Sequence, residues 1–192
     1  LYLMSMGSLF LANHEYDAAR ELFEAALNLA TELANPQAEM NVLSSLMRLY
    51  IAENKRSLVT LYGEQVIHLA GQYGETAVEI SNINLLAAYL VEQGQAKRAL
   101  PHLRRGLEIA EESEDWAWQL SILNQLGFTY YNLENLDEAL AAYEGALKRA
   151  RQLQDKAASG QVYGRLSAVL ADKGQLEEAV TAAPVSYTHL RA

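Results

Sequence analysis

The chain has no cysteine among its 192 residues, so disulfide bonds, thiol catalysis and zinc–thiolate sites are excluded. Basic residues are scarce, because 15 lysines and arginines stand against 24 acidic residues and give a formal net charge of −9. A chain this acidic lacks the positive surface that binds nucleic acid or anionic lipid. No apolar run approaches the length of a membrane span, and no secretory signal is visible. We therefore expect a cytoplasmic protein without direct nucleic-acid or membrane contact.

Proline is also rare, with three residues, whereas alanine, leucine, glutamate and glutamine are abundant. That composition favours an all-α fold. The most informative feature that is present is a repeat, because similar stretches return every 40 residues without insertion or deletion. In five units the predicted second helix begins at equivalent positions, namely Tyr16, Arg56, Ala96, Leu136 and Leu176.

Each unit predicts two helices, because apolar residues recur at helical spacing in two stretches of it. One position of the second helix is small in nearly every unit: Ala19, Val59, Ala99, Ala139 and Ala179. One position of the first helix is consistently large and apolar: Met6, Leu46, Leu86, Leu126 and Leu166. Short polar turns require antiparallel neighbours, and Asn35-Pro36 marks a helix start. The first unit is predicted to pair a helix over about Leu1–Asn13 with one over Tyr16–Ala34.

Equivalent positions of the five units form the columns of an alignment, and these columns resemble the tetratricopeptide repeat. The stretch Leu123–Leu147, LNQLGFTYYNLENLDEALAAYEGAL, fits the family pattern W-x2-L-G-x2-Y followed by small, aromatic and small residues, with leucine in place of tryptophan. The 40-residue unit is longer than the usual unit of about 34 residues. It is similar to the repeats of kinesin light chains and of the sensor domains of maltose-activator-type bacterial regulators. The resemblance implies a right-handed α-solenoid of antiparallel helix hairpins.

The second unit departs most from this pattern. Met47 stands where other units carry a mostly small residue, and Gly63 stands where they carry a large or aromatic one. One interpretation is a size exchange across a single helix interface. The other is a looser repeat.

The two tryptophans occupy different kinds of position in the alignment. Trp118 is at a position that is small or apolar in other units, so we expect it to pack. Trp116 is at a position held elsewhere by Pro36, Thr76 and Lys156. It is therefore either an exposed anchor for a partner or a side chain folded back over the junction between repeats.

No arrangement of residues predicts catalysis. The four histidines are not paired at metal-ligand spacing. Glu64 and His68 lie one helical turn apart, which is a weak metal signal beside the ordinary interpretation as a solvated pair. Phosphate-binding loops, dinucleotide-binding motifs and nucleophile elbows are all absent from the sequence. We therefore predict no enzyme, no metal and no cofactor.

In the tetratricopeptide repeat family the first helices line a concave groove. When the groove positions of the family are transferred to this chain column by column, the surface has one arginine, Arg48. Chaperone-binding members of the family instead clamp a C-terminal carboxylate with several basic residues. Its amides can donate to and accept from an extended peptide backbone, and its aromatic rings supply contact area. The predicted groove residues are Arg48, Asn84, Asn124, Phe128, Tyr131 and Asn132. The alternative is that asparagine is simply tolerated on a hydrated helix face.

The resemblance implies a protein- or peptide-binding scaffold whose ligand occupies the groove of the first helices. The alternative is a sensor segment of a larger bacterial transcriptional regulator or signalling protein. In that case occupancy of the groove controls an attached domain. A neighbouring helix-turn-helix, ATPase or cyclase domain in the gene would favour the alternative.

The C-terminal residues break the repeat. The fifth second helix, GQLEEAVTAA, can be followed to Ala183, and PVSYTHLRA comes after it. Residues 185–192, VSYTHLRA, resemble the translation of a transposon-end sequencing adapter, and Pro184 is a poor residue for a helix interior. We expect residues 1–183 to form about five units, the last truncated, and residues 184–192 to be a non-native tail. The alternative is a genuine, unstructured C-terminal tail.

Overall fold

The computed structural model describes residues 2–175 and residue 179. Within these residues the chain forms nine α-helices and no β-strand: α1 (Tyr2–Ala12), α2 (Tyr16–Glu32), α3 (Pro36–Ala52), α4 (Arg56–Tyr73), α5 (Thr76–Glu92), α6 (Ala96–Glu112), α7 (Trp116–Asn132), α8 (Leu136–Gln152) and α9 (Lys156–Asp172). Two or three residues separate consecutive helices, so neighbours such as α1 and α2 pack as hairpins. The predicted all-helical hairpin repeat is confirmed, with helix ends within about two residues of those predicted.

The helix connections share one geometry. Each connection in the described residues has one residue with a left-handed backbone, and these residues recur every 20 positions, which is half the sequence repeat. They are His14, Ala34, Asn54, Gly74, Gly94, Glu114, Glu134, Gln154 and Gly174. The next amide donates to the carbonyl five residues earlier, as from Glu15 to Phe10 at 2.9 Å. This Schellman-type bond ends the helix, whether the connection lies within a repeat or between repeats.

Side-chain caps begin three of the first helices. Asn35 Oδ1 accepts a hydrogen bond from the Ala38 amide at 3.0 Å, and Pro36 is the first residue of α3. Asp115 and Asp155 accept in the same way at the starts of α7 and α9. These caps satisfy amides that have no partner inside the helix, and the predicted helix start at Asn35-Pro36 is confirmed.

The chain divides into two compact units, Leu1–Leu86 and Ala87–Ala192, and the division falls within α5. In the first unit a large side chain lies opposite a small one at two helix contacts. A Cβ on Gly7 would lie 2.6 Å from the Phe23 ring, and a Cβ on Gly63 would lie 3.3 Å from Met47 Cε. At Gly7 and Phe23 the first helix carries the small residue and the second helix the large one, whereas at Met47 and Gly63 the first helix carries the large residue and the second helix the small one. The predicted size exchange is therefore confirmed.

The second unit buries a core between α7, α8 and α9. Its buried members are Ala139, Tyr143, Ala146, Leu147, Val162, Leu166, Val169, Leu170 and Ala179. Tyr143 is 2% exposed, and its ring lies against Gly127, where a Cβ would be 2.6 Å from two ring carbons. Close approach of α7 to α8 therefore depends on a glycine opposite a tyrosine.

The first helices bury a second face that the repeat pattern did not predict. Two further positions are at most 4% exposed in each of four units: Val42, Asn82, Ile122 and Val162, and Leu49, Tyr89, Thr129 and Val169. Polar members hydrogen-bond to their own helices, as when Thr129 Oγ1 donates to the Gln125 carbonyl at 2.8 Å. A polar residue can therefore occupy a buried position without losing hydrogen bonds.

The non-native tail predicted for residues 184–192 lies outside the described residues. So does the fifth second helix, apart from Ala179. None of the helices in residues 2–175 combines the length and apolar character needed to cross a membrane.

Candidate functional site

The six predicted groove residues fall in both units. In the first unit, Arg48 is exposed on α3 and Asn84 is half-buried on α5. In the second unit, α7 carries the other four: Asn124, Phe128, Tyr131 and Asn132. Asn124, Phe128 and Tyr131 are four and three residues apart, so they share one face of α7.

Arg165 of α9 lies against that face of α7. Its guanidinium donates from Nη1 to Asn124 Oδ1 at 3.0 Å and lies 5.8 Å from the centre of the Phe128 ring, within the range of a cation–π interaction. Burial raises the pKa of the Tyr143 phenol, and the nearby Arg165 charge partly offsets that rise. The side chain of Arg165 is exposed, so its positive charge remains accessible at this surface.

Tyr131 bonds to the other end of α9. Its hydroxyl donates to Asp172 Oδ2 at 2.5 Å, and this hydrogen bond, followed by burial, raises the pKa of Tyr131. The ring packs against the core of the second unit, whereas Asp172 is exposed. The hydroxyl is therefore directed by a carboxylate at the protein surface, and the ring itself contributes to the fold.

Asn132 makes a local contact. Its Nδ2 donates to the Phe128 carbonyl at 2.7 Å, one turn earlier in the same helix. A bond of this type ties an asparagine side chain to its own backbone. Asn132 is exposed, but part of its hydrogen-bonding capacity is already used within α7.

Arg165 adds to the α7–α9 surface a basic residue that the predicted groove did not include. In the repeat alignment Arg165 shares its position with Ser5, Ser45, Leu85 and Gln125, which is not one of the columns assigned to the groove. Both inter-helix bonds, Asn124 to Arg165 and Tyr131 to Asp172, join residues 41 positions apart. An offset of 41 residues, one more than the repeat, is the signal that identifies Arg165.

The surface of α7 and α9 combines opposite charges with amide and aromatic groups. Arg165 and Asp172 are seven residues apart, which is about 10 Å along a helix. Between them lie groups that can donate to, accept from and pack against an extended chain. Within residues 2–175 no cluster of three or more histidine, aspartate or glutamate side chains could hold a metal ion.

The chain matches a family model described as tetratricopeptide repeat over residues 78–152 and 118–183. Together these matches cover more than half of its length. No curated protein matches the chain significantly. The sequence evidence for the family therefore comes from the repeat pattern itself.

Solved structures similar to the chain include several repeat proteins. BtubC (BKLC) from P. vanneervenii is 22% identical with a TM-score of 0.86, over 97% of this chain and 78% of that one. RapI is 15% identical with a TM-score of 0.90, over 98% and 52%. A putative kinesin light chain of P. anserina is 17% identical with a TM-score of 0.76, over 98% and 93%. YrrB is 18% identical with a TM-score of 0.65, over 97% and 84%.

These likenesses establish the fold class, an all-α solenoid of helix hairpins, and the predicted similarity to kinesin light chain repeats is confirmed. The chain spans about half the length of RapI.

Proposed function

Because the chain belongs to the tetratricopeptide repeat family, we propose that it is a non-enzymatic scaffold that binds a protein or an extended peptide. The first helices would line the groove, as the resemblance to this family implies. Arg48, Asn84 and Asn132 are part of that proposal. YrrB, which is similar in fold, is described as a repeat protein with an unusual peptide-binding site, and this description supports the proposal.

The observation that carries the proposal is the polar surface of α7 and α9. Two hydrogen bonds join the neighbouring first helices, one between Asn124 and Arg165 and one between Tyr131 and Asp172. Arg165 and Asp172 are exposed, and exposed hydrogen bonds of this kind contribute little to stability. A peptide backbone that takes over one partner of each pair would gain a donor or an acceptor already held in position.

The test removes hydrogen-bonding groups and keeps the core. Asn124→Ala combined with Tyr131→Phe deletes the amide and the hydroxyl but retains the ring that packs in the second unit. The matched control is Glu144→Ala with Lys148→Ala, because both residues are exposed on α8. A peptide selected against the wild-type protein from a random displayed library serves as the probe, and fluorescence anisotropy gives its Kd.

We expect the test variant to bind about tenfold more weakly, as the loss of two modest hydrogen bonds predicts. The control variant should bind within about twofold of the wild type, which corresponds to a difference in binding free energy of at most about 0.4 kcal/mol. Equal affinity in the test variant would remove the α7–α9 surface from the binding site. Failure of the selection to yield any saturable peptide would count against peptide binding itself.

The alternative function is a sensor segment within a larger regulator. It is favoured by a solved Rap protein of similar fold, which is described as complexed with Competence and Sporulation Factor and of which the chain spans about half. The full-length gene decides between the two functions. A helix-turn-helix, ATPase or cyclase domain beside the repeats would support the regulator, and a gene that encodes repeats alone would contradict it.

A further inference from the structure

A second candidate site lies away from the α7–α9 surface, where α6 is connected to α7. There an open cavity of about 480 Å³ is lined by Glu111, Glu114, Trp116, Gln119 and Arg149. All five residues belong to the second unit. None of them is one of the residues proposed for peptide binding, so the cavity can be tested independently of that function.

Gln119 gives the cavity a buried hydrogen-bond acceptor. The residue is 4% exposed, and its Nε2 donates to the Ala110 carbonyl at 2.9 Å. Because a carbonyl only accepts, this bond fixes which end of the amide is nitrogen. The remaining atom, Oε1, is buried and has no hydrogen-bond partner among the described residues. A buried acceptor without a partner is unfavourable, so a donor that entered the cavity would relieve the cost.

The charges that line the cavity favour a cation. Glu111 and Glu114 are exposed, and neither forms an ion pair within residues 2–175. Asp115, between them and Trp116, is already used to cap α7. Arg149 is the one positive group of the lining, and its Nη1 donates to Gln152 at 2.8 Å. Two carboxylates against one guanidinium leave the lining with net negative charge.

Trp116 supplies the aromatic surface that such a cation requires. The indole is 43% exposed, so part of its ring is accessible where it lines the cavity. Tryptophan offers the best ring for a cation–π interaction. It is also enriched among the residues that dominate binding energy at interfaces. An exposed indole beside two unpaired carboxylates is a suitable site for a planar cation.

We propose that this cavity binds the guanidinium of an arginine side chain from a partner protein. The guanidinium stacks on the Trp116 indole, donates to the carboxylates of Glu111 and Glu114, and donates to Gln119 Oε1. Arginine fits better than lysine, because its planar group can stack on the ring and donate to several acceptors at once. The cation of Arg149 opposes the ligand and limits its affinity.

The experiment uses the full chain and three probes: acetyl-arginine amide, its lysine analogue and its neutral citrulline analogue. Binding is followed by NMR through the indole Nε1–H signal of Trp116. The chain has two tryptophans, so the signal missing from the Trp116→Ala variant is that of Trp116. We expect a saturable shift with the arginine probe, a weaker response to lysine and no saturable shift with citrulline.

Matched charge variants separate a specific site from general attraction to an acidic protein. Glu111→Gln with Glu114→Gln should weaken binding of the arginine probe by about tenfold. Glu138→Gln with Glu144→Gln removes the same charge from exposed positions of α8 and should change it by less than about twofold. Arg149→Gln should strengthen binding, because it removes the opposing cation.

Three results would overturn the proposal. They are a lack of saturation with the arginine probe, equal binding of citrulline, or equal losses in the two glutamate pairs. Because the glutamate variants change exposed side chains only, they keep the test decisive even if Trp116→Ala fails to fold. The α7–α9 variant should bind the arginine probe normally, so failure of one site is distinguishable from failure of the other.

Discussion

Replacing Gly127 by alanine is expected to destabilise the second unit, although alanine is the better helix former. The new Cβ would lie 2.6 Å from Cδ1 and from Cε1 of Tyr143 and 2.8 Å from Cζ. Carbon atoms in contact normally stand about 3.5–4.0 Å apart, and Tyr143 is 2% exposed in a packed core. Overpacking of this kind costs about 1–3 kcal/mol, and the gain in helix propensity returns up to about 1 kcal/mol. The free energy of unfolding should therefore fall by about 1 kcal/mol, and by about 2 kcal/mol at most.

Gly164→Ala is the matched control, because Gly164 is exposed on α9 and a Cβ there would meet nothing within 4 Å. That substitution should stabilise the protein by up to about 1 kcal/mol, so the two glycine-to-alanine changes should differ in sign. Tyr143→Leu should abolish the clash, since Leu103 occupies the same position in another unit. In that background, Gly127→Ala should become neutral or stabilising.

Urea denaturation followed by helical circular dichroism measures these differences across the four proteins of the cycle. A coupling energy of at least about 1 kcal/mol between Gly127 and Tyr143 is expected for residues in direct contact. If Gly127→Ala instead stabilised the protein as much as Gly164→Ala, or if the two mutations were additive, size complementarity would not be what determines this position.

Three further predictions concern a turn, a buried phenol and a cap. Ala34 has a left-handed φ of 47°, so Ala34→Gly should raise the free energy of unfolding by about 1 kcal/mol. Gly74 has a φ of 70° with open space around it, so Gly74→Ala should lower the free energy of unfolding. Changes of the same sign for the two variants in urea titrations would contradict this prediction. Burial, with smaller effects of Tyr62 and Glu24, raises the pKa of Tyr50 from 10.0 to about 12. The stability that the protonated Tyr50 phenol contributes is therefore complete below pH 10 and is lost as the pH rises to about 12. The urea midpoint should fall less over that pH range in Tyr50→Phe than in the wild type. An equal fall in the two proteins would contradict this prediction. Asp155→Ala should cost about 1 kcal/mol, because its carboxylate caps α9, and a thermal midpoint equal to that of the wild type would show otherwise.

The helix pairs and the exchange of Met47 with Gly63 could be predicted from the sequence, because both are properties of columns. Apolar residues that return every 40 positions define a buried stripe, and a large residue in one column with a small one in another predicts their contact. The second buried face of the first helices could not be predicted in this way. Asn82 and Thr129 occupy it, and polar residues conceal the periodicity on which the prediction depends.

The helix connections were harder to predict for a different reason. Of the nine left-handed residues, three are glycines and the others include Ala34, Glu114 and Glu134. Glycine, which favours a left-handed backbone, therefore marks only some of the positions that recur every 20 residues. The connections hold these backbones because the bond between Glu15 and Phe10, and its equivalents at the other turns, ends each helix in the same way. Repetition of the hydrogen bond, rather than of the side chain, maintains the geometry.

The candidate site could be predicted only in part, because its bonds do not follow the columns. The repeat aligns residues 40 positions apart, but the bonds on the α7–α9 surface join residues 41 positions apart. Applied to α1 and α3, the same offset pairs Met4 with Ser45 and Leu11 with Ala52. The first pair can form at most a weak hydrogen bond between side chains, since methionine sulfur is a weak acceptor, and the second can form none, since leucine has no polar atom. The polar surface of α7 and α9 therefore depends on residues that the repeat leaves free to vary.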